Sequence, residues 1–315
     1  MAVIETRELR KDYGGLFALD KNVNITVEKG QIYGLLGQNG AGKTTLVKIL
    51  LGIVRKTTGE ATLLDEPAGT IDVRRRVGYL PEDHQFPGYH TGYSLLDFSA
   101  AMYGVPRDDR RRIIPEALNV VGIKASQHKK IKGYSKGMKQ RLGIAQALLH
   151  KPDVIFLDEP TDGVDPVGRR EIRELMGRLK DNKQTIFLNS HLLGEVELIC
   201  DRVAILRKGE LVREGTVADL TEQKGLYEIR LAPGQKFPEA ETRKLGLNVT
   251  AVGDVWHITI ADGKAIDPVV QMLATAGLNL RHLVEKKVSL EDVFMAVATG
   301  DGKDAKNLAR ASEAK

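Results

Sequence analysis

The sequence predicts an α/β protein with a largely parallel core sheet, an inserted helical subdomain and a small second α/β domain. Over residues 1–220, short β-branched runs alternate with longer helical patterns, which is typical of a parallel α/β fold. After Thr216 the pattern changes to strands with one exposed face. The chain of 315 residues also has the length of about two domains.

Composition excludes several classes of protein. Hydrophobic residues make up 42% and charged residues 28% of the chain, which is too apolar for a disordered protein. The net charge of +5 is below that typical of nucleic-acid-binding proteins. No apolar run approaches the ~20 residues that span a bilayer, and the N-terminus lacks a secretory apolar region. The single cysteine, Cys200, excludes an internal disulfide and favours a reducing compartment.

Four short apolar runs, each closed by polar or turn residues, predict the core strands: Gln31–Leu36, Val154–Leu157, Thr185–Leu188 and Val203–Leu206. Between them, residues from about 84 to 133 have no buried-strand pattern and predict the helical subdomain. This segment carries Tyr89, Tyr93, Phe98 and Tyr103, which either pack its own core or contact a partner.

Residues 221–300 predict the second domain, and residues 301–315 a flexible polar tail. Strands are expected at 226–232, 255–261 and 280–284, with a turn at Asp262-Gly263. Ser289 and Asp292 predict a capping box at the start of a final helix.

A phosphate-binding loop follows the first core strand. Residues 37–44, GQNGAGKT, match G-x-x-x-x-G-K-S/T, and a helix pattern comes directly after them. Such a loop points backbone N–H groups at a phosphate, the lysine reaches the β- and γ-phosphates, and the threonine hydroxyl binds Mg²⁺. The predicted nucleotide-binding residues are Gly37, Asn39, Gly40, Ala41, Gly42, Lys43, Thr44 and Thr45.

Two acids end the second core strand and predict the catalytic edge. Asp158 would hold Mg²⁺, directly or through water, together with Thr44. Glu159 would accept the proton of an attacking water. The two acids alone would also suit a solvated turn, but the phosphate loop favours catalysis.

Further segments resemble the ATP-binding subunits of ABC transporters, over residues 1 to about 218. Tyr13 lies where that family places an aromatic residue on adenine. YSKGMKQR (134–141) resembles the family signature, PTDGVDP (160–166) its D-loop, and His191 its switch histidine. The resemblance implies a P-loop fold of the ABC-ATPase type in which Lys43, Glu159 and His191 are catalytic.

The resemblance also implies a composite site. Ser135, a predicted helix N-cap, would contact with Gly137 the γ-phosphate held by another subunit, and Asp165 is the key acid of the D-loop. Two ATP molecules, each with Mg²⁺, would lie between this chain and a second copy or a homologous subunit. An integral-membrane permease would complete the transporter, with this chain peripheral on the cytoplasmic face of the membrane.

The sequence departs from the family pattern at three positions. Lys136 and Met138 replace a glycine and a glutamine of the signature, and Glu82 occupies the Q-loop position as a third candidate Mg²⁺ ligand. Lys136 would either add charge near the γ-phosphate or face solvent. These variants, with the C-terminal extension, resemble drug, lipid or antibiotic exporter subunits.

Other functions stay open beside the exporter motor. A non-transport ABC ATPase would couple to another partner, although those acting on nucleic acid or ribosomes usually have two ATPase modules or long coiled coils. A P-loop kinase would lack the signature, D-loop and switch histidine. A regulatory nucleotide-binding protein is a further alternative, because Glu82, Lys136 and Met138 depart from the family pattern. We expect no nucleic-acid partner.

Overall fold

The computed structural model describes residues 1–221, 226–244, 247–260, 266–285 and 288–299. These form two compact units. The first comprises residues 1–217 together with the described part of the C-terminal segment from Phe294. The second comprises residues 218–293.

Strands and helices are numbered along the chain. The strands of the described residues are β1 (Ala2–Asp12), β2 (Phe17–Glu28), β3 (Ile32–Gly37), β4 (Thr58–Leu63), β5 (Glu66–Pro67), β6 (Val77–Leu80), β7 (Val154–Asp158), β8 (Thr185–Asn189), β9 (Arg202–Arg207), β10 (Glu210–Thr216), β11 (Leu226–Leu231), β12 (Asn248–Val252), β13 (Val255–Thr259) and β14 (Leu280–Glu285). The helices are α1 (Lys43–Leu50), α2 (Ile71–Arg75), α3 (Gly92–Met102), α4 (Arg107–Val120), α5 (Lys136–Leu148), α6 (Pro166–Asp181), α7 (Leu193–Ile199), α8 (Val217–Thr221), α9 (Glu239–Lys244), α10 (Asp267–Thr275) and α11 (Leu290–Thr299).

A six-stranded sheet in the order β10-β9-β3-β8-β7-β6 forms the centre of the first unit. All neighbouring pairs are parallel except β10 with β9. Every residue of β3, β7 and β8 is buried, as expected for strands covered on both faces. The four predicted core runs form β3, β7, β8 and β9, so the α/β class is confirmed. β6 and β10 were not predicted.

A second, antiparallel sheet in the order β2-β1-β4-β5 was also not predicted. Bulges interrupt the pairing of β1 with β2, and the buried Thr6 hydroxyl bridges two groups of β2. It donates to the Val23 carbonyl (2.8 Å) and accepts from the Ile25 N–H (2.9 Å). The turn between β1 and β2 carries Tyr13.

Helices α3 and α4 lie within the segment predicted to be helical, and both pack against α5. Thr91 and Ser94 form a reciprocal capping box that begins α3. Apolar residues of both helices form the interior, among them Leu96, Ile114 and Leu118.

The second unit contains a four-stranded antiparallel sheet in the order β12-β13-β11-β14. Its core includes Ile229, Ile258 and Leu273, and Phe237 stacks on Trp256 with ring centroids 5.5 Å apart. The three predicted strands correspond to β11, β13 and β14, whereas β12 was missed. The predicted turn at Asp262-Gly263 and the tail 301–315 lie outside the described residues.

The predicted capping box before the last helix is confirmed. Asp292 donates its N–H to the Ser289 hydroxyl (3.1 Å), and the Asp292 carboxylate accepts from the Ser289 N–H (3.0 Å). In the described parts of the chain, no helix combines the length and the apolar character needed to cross a bilayer.

Candidate functional site

A cavity of about 710 Å³ lies in the first unit, where the phosphate-binding loop leaves the central sheet. Its volume is in the range of small-ligand sites. The lining residues are Tyr13, Leu16, Phe17, Ala18, Gly37, Gln38, Asn39, Gly40, Ala41, Gly42, Lys43, Thr44, Thr45, Glu82, Glu159, Asp162, Asn189, His191, Leu193 and Phe294. All eight predicted residues of the phosphate loop are among them.

Gly42 shapes the loop where it enters α1. It is the N-cap of that helix, with φ of 106°, a region that favours glycine. A Cβ atom here would lie 2.2 Å from the Ala18 carbonyl oxygen of β2, so the loop and β2 approach too closely for any side chain. Residues 38–44 all line the cavity.

Lys43 is buried and points back along the loop. Its Nζ donates to the Gly37 carbonyl (2.7 Å) and to the Gln38 carbonyl (3.3 Å). Burial lowers the pKa of Lys43, while Glu159 and Asp158 act in the opposite direction. A phosphate would replace these carbonyls as a stronger, charged acceptor.

Asp158, the last residue of β7, is only 2% exposed. Burial raises the pKa of Asp158 to about 6; a hydrogen bond from Asn189 lowers it, and the charges of Glu82 and Glu159 raise it further. The Asn189 amide donates to Asp158 Oδ1 from the end of the adjacent strand β8.

Glu159 and His191 form a direct pair at the cavity. His191 Nδ1 lies 2.8 Å from Glu159 Oε2, and the His191 backbone N–H lies 3.3 Å from the same oxygen. Glu159 is buried, with a positive φ of 50° that is unfavourable for a non-glycine residue. Its own N–H donates to the Asn189 carbonyl (2.9 Å), which holds that strained conformation.

The donor set fits Mg²⁺ bound together with a phosphate. The described residues contain no group of three or more His, Cys, Asp or Glu side chains that would hold a metal. Mg²⁺ instead binds through one or two carboxylates, substrate phosphates and water. Asp158 and the Thr44 hydroxyl would supply hard oxygen ligands, and the buried Asn189 Oδ1 is without a hydrogen-bond partner among the described residues. Glu82 lines the cavity on its exposed side.

Three predicted nucleotide-binding residues do not line this cavity: Ser135, Gly137 and Asp165. The predicted Mg²⁺ ligand Asp158 is also not a lining residue. Ser135 caps α5, as predicted, by accepting from the Met138 N–H (3.2 Å), yet it stays exposed. Asp165 caps α6 by accepting from the Gly168 N–H (2.7 Å). Ser135 at the start of α5 therefore does not contribute to the lining of the chain's own cavity, and Gly137 is buried.

Tyr13 lines the cavity and is half-exposed, and Lys11 Nζ lies 4.5 Å from the centre of its ring. Several other lining residues were not predicted. Asn189 ends a buried strand beside Asp158. A polar residue at the end of a buried strand predicted the two acids, and the same pattern marks Asn189. Asp162 lies in the segment that resembles the D-loop, but only Asp165 of that segment was predicted as a site residue. Nothing in the local sequence marks Phe294 as a lining residue.

The site combines a phosphate loop, two acids at the end of a buried parallel strand and a histidine just beyond the end of the neighbouring strand. This combination defines a P-loop nucleotide hydrolase. Residues 21–162 match the family described as ABC transporter. The chain belongs to this family and is one of its ATP-binding subunits, with ATPase activity.

Relatives match over nearly the whole chain. An uncharacterized ABC transporter ATP-binding protein, sll0415, of Synechocystis sp. is 40% identical, over 93% of this chain and 84% of that protein. The bacitracin transport ATP-binding protein BcrA of Enterococcus faecalis is 33% identical, over 95% of this chain and 97% of BcrA.

A solved structure, cbiO1 from Clostridium perfringens, is described as part of the ABC transporter complex cbiONQ. It is 29% identical, with a TM-score of 0.64, covering 70% of this chain and 90% of cbiO1. The predicted P-loop fold of the ABC-ATPase type is therefore confirmed.

Asp158→Asn tests the cost of burying this carboxylate. Burial raises the pKa of Asp158 from 3.8 to about 6, so ionising this carboxyl destabilises the folded state. The free energy of unfolding of the wild type therefore falls as the pH rises through that value. An asparagine does not ionise, so the variant does not lose this stability. Its free energy of unfolding should exceed that of the wild type by about 2–3 kcal/mol at about pH 7.5. The gap should shrink to about 1 kcal/mol at about pH 4.5.

Urea unfolding at both pH values measures this gap. Asp181→Asn, at the exposed end of α6, controls for the general effect of removing one carboxylate. An Asp158→Asn gap that stays constant between the two pH values would contradict the assignment.

Proposed function

We propose that this chain is the ATP-hydrolysing motor subunit of an ABC exporter, paired with a second copy or a homologous subunit and driving a separate membrane permease. The observation that carries the proposal is the Glu159–His191 pair at 2.8 Å, which lies at the cavity edge beside the phosphate loop. A buried carboxylate beside an imidazole, on the same cavity as the phosphate loop, supports a role for this pair in hydrolysis.

Each residue of the site has a role in hydrolysis. Tyr13 stacks on the adenine, and the phosphate loop holds the phosphates through its N–H groups and Lys43. Mg²⁺, held by Asp158 and Thr44 with Glu82 nearby, supplies charge neutralisation when bound. Glu159 accepts a proton from the water that attacks the γ-phosphorus, and ADP leaves as the P–O bond breaks. His191 orients Glu159 and donates to the γ-phosphate.

The exposed start of α5 supports pairing. A helix N-terminus with a serine and a glycine suits an anion, and Ser135 and Gly137 do not line the chain's own cavity. Asp165, exposed at the start of α6, likewise does not line the cavity. We assign these residues to the ATP held by a partner subunit, so each of two sites is completed by the other chain.

The membrane partner and the exporter subtype rest on resemblance and on surface chemistry. BcrA is described as a bacitracin transport protein, and cbiO1 as part of a transporter complex. Within residues 84–133, Tyr89 and Phe98 are exposed aromatic residues, as a docking surface for a permease requires. The chain then acts at the cytoplasmic face of the membrane.

Glu159→Gln tests hydrolysis and pairing together. It keeps the size of the side chain but removes the proton acceptor, so ATP should still bind while hydrolysis falls at least about a hundredfold. Trapped ATP should then convert the 34.7 kDa monomer into a dimer, measured as mass in solution with and without ATP and Mg²⁺.

The exposed Glu60→Gln is the matched control and should hydrolyse ATP normally. A Glu159→Gln chain that binds ATP and stays monomeric would favour the alternative, a regulatory or non-transport ABC ATPase. Retained hydrolysis would exclude Glu159 as the base.

Phe98→Glu tests the docking surface. Phe98 is 57% exposed, so the change should leave folding and basal ATPase activity intact while reducing the share of chain recovered with membranes of the native host. Ile53→Glu is the control, because Ile53 is 59% exposed and lies outside the helical subdomain. Equal loss from both variants, or none, would contradict docking through the helical subdomain.

A further inference from the structure

The signature lysine forms an ion pair that the sequence did not predict. Lys136, the first residue of α5, donates from Nζ to Asp162 Oδ2 at 3.0 Å, across 26 positions of the chain. Its ammonium group thus neither faces solvent alone nor extends freely toward a phosphate. Asp162 lines the chain's own cavity together with Glu159 and His191.

Asp162 is connected to Glu159 through a tight turn. The Asp162 N–H donates to the Glu159 carbonyl (3.2 Å), and the Val164 N–H donates to the Thr161 carbonyl (3.3 Å). A shift of Asp162 therefore acts on the backbone of Glu159, which already has a strained positive φ. The ion pair joins this turn to the start of α5.

Gly163 shows how closely the lysine follows the turn. A Cβ atom on Gly163 would lie 2.1 Å from Lys136 Nζ and 3.0 Å from its Cε, so the aliphatic chain runs across the glycine. Gly163 also has a positive φ of 59°, which a side chain would disfavour. The turn thus has the shape that accommodates Lys136.

The charges around Asp162 favour this pairing. The hydrogen bond from Lys136 is the largest cause lowering the pKa of Asp162, and the charges of His191 and Arg169 act in the same direction. Both side chains are about half exposed, and exposed ion pairs contribute little to folding stability. The pair therefore contributes little to the stability of the fold.

We propose that Lys136 is a positioning residue: it ties the signature end of α5 to the Asp162 turn, so that the surface offered to a partner's ATP moves with the chain's own catalytic edge. This inference rests on the proposed function, because it takes the start of α5 to bind the partner's nucleotide. The ammonium group of Lys136 pairs with Asp162 and does not itself bind the phosphate.

A double-mutant cycle in the Glu159→Gln background tests the tie. The variants are Lys136→Ala, Asp162→Ala, both together, and the exchanged pair Lys136→Asp with Asp162→Lys. The measurement is the ATP concentration that gives half-maximal dimer, by mass in solution. Each single change should raise it about fivefold to tenfold, and the double change no further than the larger single effect. The exchanged pair should recover most of the loss.

Thermal melting of each variant checks the fold, which should change little because the pair is exposed. Lys132→Ala, an exposed lysine four residues before Lys136, controls for loss of positive charge and should be without effect. A parent Glu159→Gln chain that does not dimerise with ATP removes the premise and overturns both proposals. A parent that dimerises overturns this inference alone if the single effects add independently, or if Asp162→Ala is silent and the exchanged pair stays impaired.

Discussion

Charge burial at one edge of the parallel sheet is the constraint on which the rest of the first unit depends. Lys43, Asp158 and Glu159 are each less than a tenth exposed, although ionised groups resist burial. The fold compensates with opposite charges, with loop carbonyls for Lys43, and with Asn189 for Asp158. These contacts leave acceptors and donors prepared for a charged ligand. The same burial that costs stability therefore creates a site suited to a nucleotide phosphate.

The predicted site residues fall into two regions of the chain. The phosphate loop, Glu159 and His191 line one cavity, whereas Ser135 and Gly137 do not line it. The Lys136–Asp162 ion pair connects these two regions within one chain. In the proposed dimer, such a connection would let the state of one nucleotide influence the surface offered to the other, without a large movement within the chain.

Much of this could be read from the sequence because the features are local. The phosphate loop, Asp158 and Glu159 follow single buried strands, and Ser135 caps the helix that follows it. The antiparallel sheet was missed because bulges between β1 and β2 break the alternation that marks a strand. The Lys136–Asp162 ion pair and the position of Phe294 at the cavity could not be predicted. Both depend on tertiary contacts between residues that are far apart in the sequence.

In the proposed dimer, the phosphate loop of one chain and the signature of another enclose one ATP. Asn39→Cys and Ser135→Cys chains, both carrying Glu159→Gln, can be mixed and oxidised with and without ATP. Cys200 is buried and its thiol pKa is raised, so it does not compete for oxidation. If the two chains share the site, the mixture should form a covalent dimer only when ATP is present. Neither chain alone should form it. No covalent dimer from mixed chains that have bound ATP would contradict the shared site.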